Sequence, residues 1–360
     1  MEEKGEISEE LCAETVSAPA QPITEAEETP AAVPTKKKRG PWHESLPVVF
    51  ILTIALEEVG ALLGGVIVGL YVGIYLAIAL FSNEALLESL TDSATLLQAF
   101  PPVLETVVQY LPTIGVWGVC LLWFLRKNDR PLYRTFTPYC RGNTVPMLLL
   151  GLAMGAVMNG GCILAAYCHG DIALTYDSFR PGALLAVLLC VFVQSSSEEL
   201  VCRGYLYQKL YKRFHKPAIA ILGNALLFAL LHVFNPGVTL LAILDIFIFG
   251  VLCSLIVYYW DSLWCAFAVH TAWNFTQNIV FGLPNSGMMV PFSLFKLNVA
   301  TARDSFFYNV AFGVEGTVFA VLIDAAACVL VWLLGRKHGA KGTDIWTDKT
   351  DEPLALPTAE

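Results

Sequence analysis

Charge is scarce along most of this chain. Only 15% of its 360 residues are Asp, Glu, Lys or Arg, against roughly a quarter in soluble domains. The shortage is local: charges crowd the two ends and a few short segments, and long apolar runs lie between them. That distribution excludes an ordinary soluble domain and points to a membrane protein. Metal-finger spacing is also missing. The ten cysteines form no Cys-x-x-Cys pair and mostly fall inside apolar runs, where they read as small hydrophobes. There is no His-Glu-x-x-His and no internal repeat. No secretory signal peptide is expected at the start, which is polar and ends in Lys36-Lys37-Lys38-Arg39.

The formal net charge of −9 does not describe the whole chain. Much of it sits in the first 30 residues and in the tail, so it implies no nucleic-acid partner. Residues 1–46 are expected to be a disordered polar tail, and 338–360 another. Between them, 47–337 should form a transmembrane helical bundle.

The fold class read from the sequence is all-α, a polytopic membrane helix bundle of about eight transmembrane helices. Eight apolar runs can span at about 20 residues per crossing: 59–82, 103–125, 145–168, 182–202, 217–234, 238–260, 262–281 and 310–335. Segment 47–58 is apolar but holds Glu57 and Glu58, so it reads as an interfacial helix or a long lead into the first span. Basic residues set the orientation. Nineteen of the 22 fall on one side if eight spans are drawn. That side holds Lys4, 36–39, 126–141, 203–216 and the stretch after 335. Only Arg180, Lys296 and Arg303 fall on the other. Both termini are then expected in the cytoplasm of a multi-pass cell-membrane protein.

Charged side chains inside spans cost about 2.5–3.5 kcal/mol each on insertion scales, yet three spans carry polar groups together. The fourth ends in Ser195-Ser196-Ser197-Glu198-Glu199-Leu200-Val201-Cys202-Arg203-Gly204. The fifth holds Phe228 and His232, and the seventh His270 and Asn274. If the fourth helix continues through 203–213, a turn near 214–216 makes a hairpin with the fifth. Glu198 and His232 then lie at similar height, about 25 Å from the turn at ~1.5 Å per residue. His270 and Asn274 are four apart and share a face. Glu199 and Arg203 are also four apart and can neutralise each other. That leaves Glu198, about 100° around the helix, free for chemistry.

One carboxylate, two imidazoles and an amide suit the activation of water. Partial burial helps a carboxylate take a proton near neutral pH. The imidazoles can hold the water or an oxyanion, and the amide can donate to that oxyanion or fix the carboxylate. Each residue also has a plainer reading. Glu198 and Glu199 could form a structural ion pair with Arg203, although one Arg cannot neutralise both. His232 alone would be a satisfied buried histidine, and Phe228 reads as packing. Ser195–Ser197 read as helix packing rather than as nucleophiles. Asp245, Asp324, Glu315 and Glu105 have no motif partner and read as helix-end or interhelical hydrogen-bonding groups. Asp245 is the one that could line the site.

Glu198-Glu199-x-x-x-Arg203, Phe228-x-x-x-His232 and His270-x-x-x-Asn274, in this order on separate helices, resemble the CPBP family. These are the CAAX prenyl proteases and bacteriocin-processing proteins, also called Abi. Gly204-Tyr205-Leu206 fits the continuation of the first motif. The resemblance covers residues 182–281. It implies an intramembrane endopeptidase acting on a membrane-embedded or prenylated peptide, with the lipid bilayer as its medium. It implies that Glu198 activates water, that His232 and His270 bind or polarise, and that Asn274 serves an oxyanion or positioning role. Glu199, Arg203 and Phe228 would be supporting. The family has been described both as glutamate-activated and as a metalloendopeptidase. No cofactor is required by the pattern. Zn²⁺ is a possible one, with Glu198, His232 and His270 as its ligands. The cavity is expected to open towards the basic side. The alternative class is a non-enzymatic scaffold or transporter with a buried polar cluster, which the lack of repeats disfavours.

Overall fold

The computed structural model describes residues 45–81, 101–337, 339 and 342–347. The expectations for the N-terminal tail and for the outer segment 83–102 fall almost wholly outside the described residues.

All eight apolar runs become helical segments. Helix α1 (Leu46–Phe81) is continuous, so 47–58 is not a separate interfacial helix. No Gly or Pro interrupts it between Val48 and Val59, and both glutamates are good helix formers. The second run is α2 (Pro102–Tyr110), a 3₁₀ turn (Leu111–Thr113) and α3 (Ile114–Phe124). The turn tightens around Pro112, which has no N–H to donate. Helix α4 (Val145–His169) stops at Gly170, whose φ is 79°, a left-handed cap that glycine adopts without strain.

The fourth run is α5 (Pro181–Glu199), a π-helical stretch (Leu200–Leu206) and α6 (Tyr207–Phe214). His215 at φ 51° and Pro217 turn the chain into α7 (Pro217–Leu231), close to the expected 214–216. Helix α8 (Leu240–Trp260) is capped by Thr239 Oγ1 accepting from Ala242 N–H at 3.1 Å. Helix α9 (Leu263–Asn274) is capped in the same way by Ser262 and runs into a second π-helical stretch, Phe275–Val280. The last helix, α10 (Val318–Lys337), begins later than the expected 310. Glu315 therefore lies in a 3₁₀ turn ahead of it.

Among the described residues, six segments are long and apolar enough to cross a membrane, α7 is a shorter apolar helix, and the α9 segment is not among the six. The architecture is a polytopic helical bundle. One small addition was not foreseen. Strands β1 (Leu174–Tyr176) and β2 (Phe295–Leu297) pair antiparallel, with Leu174 opposite Leu297.

The bundle has two distinct ends. One gathers the loop 126–144, the α6–α7 turn, the α8–α9 turn and the chain after α10. There Lys209 pairs with Asp129 at 2.5 Å, and Arg134 Nη1 donates to the carbonyl of Ile345 at 2.8 Å. Asp261 accepts from the N–H and hydroxyl of Thr343. Residues 342–347, expected to belong to a disordered tail, therefore dock on this end. They bury Ile345 and set Trp346 against the ammonium groups of Lys209 and Lys212. The opposite end holds the β-ribbon and the segment 281–316, tied to the end of α4 by Arg303 Nε donating to Asp171 at 3.1 Å.

Helix α9 sits at the centre. Every residue from Leu263 to Asn274 except Trp264 is buried. It lies against α4 where Gly151 and Gly155 remove side chains from the contact. A Cβ at Gly155 would stand 2.2 Å from the carbonyl oxygen of Val269, beside His270. This close approach of small residues is how apolar helices associate in lipid. Gly155→Leu is expected to destabilise the bundle by about 1–3 kcal/mol, read as a lower thermal midpoint of the detergent-purified protein.

Candidate active site

The polar residues singled out above converge on α5, α7 and α9. Glu198 and Glu199 end α5, immediately before the chain widens into the π-helical stretch. Asn274 ends α9, and another π-helical stretch follows at once. Such wide turns re-aim neighbouring side chains and recur at functional sites.

Glu199 and Arg203 are wholly buried and form an ion pair with Nη1 to Oε1 at 2.7 Å. The sequence placed Arg203 with the basic surface residues. The structure corrects this, because its guanidinium lies inside the bundle. Its Nη2 donates to the carbonyl of Gly250 at 2.9 Å, and its plane covers the Phe228 ring at 4.5 Å. The same Phe228 ring packs edge-on to His232 and His270. Phe228 is thus the apolar spacer between the guanidinium and both imidazoles.

His270 connects the two glutamates. Its Nδ1 lies 3.0 Å from Glu199 Oε1, and a carboxylate can only accept, so Nδ1 carries the proton. That turns Nε2 towards Glu198, 3.7 Å from Oε2. His232 is fixed similarly. Its Nδ1 is 2.8 Å from the carbonyl of Phe228, which also can only accept. In the neutral ring Nε2 is then the bare, basic nitrogen.

Glu198 is held by a residue that the sequence did not single out. Gln194, one turn earlier, donates through Nε2 to Glu198 Oε1. Asn274 Nδ2 donates to Gln194 Oε1 at 3.1 Å and to Ser195 Oγ at 3.2 Å. Asn274 therefore reaches Glu198 through Gln194, not directly. Oε2 of Glu198 is buried and has no protein hydrogen-bond partner. Ser196 and Ser197 turn their hydroxyls to backbone carbonyls, and Ser195 turns its own to Gln194 Oε1. All three match the packing reading.

Two further residues close the site from the opposite end. Asn285 donates to Asn274 Oδ1 at 3.2 Å and to Glu315 Oε1 at 2.8 Å. Glu315 also accepts from Trp273 Nε1 and from the N–H and hydroxyl of Ser286. Asn285 lies 11 residues beyond Asn274 and Glu315 another 30 on, in a segment with no helical period, so neither residue was legible as part of the site. Glu57 was expected at an interface. It is instead half-buried on α1, within electrostatic reach of Glu198. Asp245 and Asp324 line a small void beside His232 and His270, so Asp245 does reach the site's edge, whereas Glu105 is not among the residues lining it.

Glu198, His232, His270 and Asn274 line one cavity of about 190 Å³ with Gln109, Tyr110, Asn285, Ser286, Met288 and Val290. Residues of α2 and of the segment 285–290 thus form one wall of it. His232 follows the last residue of a 15-residue helix that starts at the basic turn, about 22 Å away at ~1.5 Å per residue.

Among the described residues no three His, Cys, Asp or Glu side chains are placed together to hold a metal ion. Removing Arg203 would leave Glu199 charged and unpaired in the interior. Arg203→Ala is expected to cost about 3–5 kcal/mol of stability, measured by thermal or denaturant unfolding in detergent.

Residues 180–276 match the family model for type II CAAX prenyl endopeptidase, Rce1-like, in agreement with the CPBP resemblance. No curated protein and no solved structure matches the chain. The family match supports an intramembrane protease and, with the apolar helices, a multi-pass membrane protein.

Proposed function

We propose that the chain is an intramembrane endopeptidase that hydrolyses a peptide bond of a membrane-embedded or lipid-anchored peptide with water activated by Glu198. The observation that carries this reading is the free Oε2 of Glu198. It is buried and has no protein hydrogen-bond partner, His270 Nε2 stands 3.7 Å from it, and Glu198 lines one cavity with both histidines. A water there has an acceptor for its proton and a second acceptor to orient it.

In this reading Glu198 takes a proton from water as the oxygen attacks the substrate carbonyl carbon. His232 Nε2 accepts the water's other hydrogen and sets the direction of attack. His270, held by Glu199, keeps Glu198 Oε2 facing the cavity. The tetrahedral intermediate collapses with cleavage of the C–N bond, and the departing amine takes the proton from Glu198. Gln194 and Asn274 fix the carboxylate from its other oxygen, so that little rearrangement is needed during reaction. Both Asn274 amide hydrogens have acceptors, which favours the positioning role over direct oxyanion binding.

Glu198→Gln keeps the shape and removes the base. It is expected to lower turnover at least 100-fold while membrane insertion and thermal midpoint stay unchanged. Comparing the peptides in membranes that carry the two forms finds the substrate. Unchanged peptides in the Glu198→Gln membranes would sink the assignment and favour a non-enzymatic polar cluster. In this reading no step runs through a metal. Cleavage of the substrate found in this way is expected to persist after dialysis against a chelator, and loss restored by Zn²⁺ would contradict that.

A further inference from the structure

Asp245 and Asp324 supply none of the contacts that hold Glu198. Asp245 stands on α8 and Asp324 on α10, two helices that pack against each other. The two residues are 2% and 0% exposed. Oδ1 of Asp245 and both carboxylate oxygens of Asp324 are buried without a hydrogen-bond partner. Their charged neighbours are acidic as well. Asp324 and Glu315 act on Asp245, and Glu315 acts on Asp324. Glu315 is itself committed to Trp273, Asn285 and Ser286. Two carboxylates placed in this way are costly to bury unless a cation joins them.

Both line a void of about 30 Å³. The void and the larger cavity have His232, His270, Asn274 and Ser286 in common, so they adjoin at the two imidazoles. At this size the void takes a group of roughly one or two heavy atoms, not a ring or an acyl chain. Phe249 and Trp273 supply aromatic walls, and aromatic rings attract cations. The three orphaned oxygens equal in number the three N–H donors of a primary ammonium, which accepts no hydrogen bond. A planar guanidinium is larger and demands a paired, in-plane set of acceptors.

We propose that the void is a subsite for a primary ammonium, the end of a substrate lysine whose backbone lies in the larger cavity, so that the protease selects peptides with Lys beside the scissile bond. The flexible four-carbon stem of lysine passes between the histidines, and its ammonium supplies the cation that Asp245 and Asp324 lack. Asp324, with both oxygens orphaned, is the chief specificity-determining residue. The word substrate rests on the proteolytic reading, whereas the ammonium site stands without it.

The site is read first without turnover. Methylammonium chloride is added to the full-length, detergent-purified protein, with sodium, potassium and tetramethylammonium chlorides as arms of equal ionic strength. Methylammonium is expected to raise the thermal midpoint of the wild type and of Glu198→Gln by roughly 2 °C over the other salts. Asp324→Asn is expected to abolish the shift, and Asp245→Asn repeats the test if that variant fails to fold. An equal shift with all four salts, or one that survives in Asp324→Asn, overturns the proposal. A shift of the same size with potassium assigns the void to a free ion and overturns the lysine. The second readout is selectivity. A peptide cut in wild-type but not in Glu198→Gln membranes is made with Lys beside the cut and with Gln in its place. The ratio of kcat/KM for the two is expected to favour Lys at least about tenfold and to fall to near unity in Asp324→Asn. A ratio near unity in the wild type overturns the lysine subsite even where Glu198-dependent cleavage holds. A methylammonium shift with no Glu198-dependent cleavage instead keeps the ammonium site and defeats the proteolytic reading.

Discussion

Moving a guanidinium into a helix bundle costs several kcal/mol unless an opposite charge and good hydrogen bonds go with it. Arg203 is fully buried, and the site is arranged around that demand. Glu199 supplies the charge, Gly250 a carbonyl and Phe228 a ring face. The same Glu199 oxygen that meets Arg203 also holds His270 Nδ1. One buried ion pair therefore fixes the rotamer of a carboxylate and the orientation of an imidazole, and through Phe228 it spaces both histidines. Glu198, the neighbouring residue, is left out of the pair because successive helix residues point about 100° apart. Its freedom follows from the confinement of Glu199.

Two layers then hold Glu198 from different sides. From α9 comes His270, near Oε2, while Gln194 holds Oε1 and is itself held by Asn274. Asn285 and Glu315 continue the hydrogen bonds into the segment after α9. Polar networks in a low-dielectric interior are worth forming only when nearly every member is satisfied. Two carboxylate oxygens stand outside this one, Oε2 of Glu198 and Oε2 of Glu199, and of the two residues Glu198 is the one that lines the cavity, which makes its oxygen the chemically informative atom. The small-residue contact of Gly151 and Gly155 with α9 matters for the same end, since it presses the helix carrying His270 and Asn274 into the centre.

How much of this was legible in the sequence depends on the range of each interaction. The eight apolar runs, the hairpin turn near 214–216 and the four-residue pairs Glu199–Arg203 and His270–Asn274 are local, and helical periodicity reveals them. Arg203 was assigned to the basic surface because a sequence shows charge but not depth. Gln194 was missed although it lies only one turn from Glu198, since a glutamine beside three serines reads as ordinary polar packing. Asn285 and Glu315 come from a segment with no regular period. The docking of 342–347 depends on partners over 80 residues away, Asp261 and Arg134.

The central claim is that a water molecule sits between the free carboxylate oxygen and a basic ring nitrogen. An experimental structure at a resolution that orders solvent tests it most directly. The account requires a water within about 3 Å of Glu198 Oε2 and of His232 Nε2. A metal ion at that position, or Glu198 turned away to pair with a cation, would contradict it.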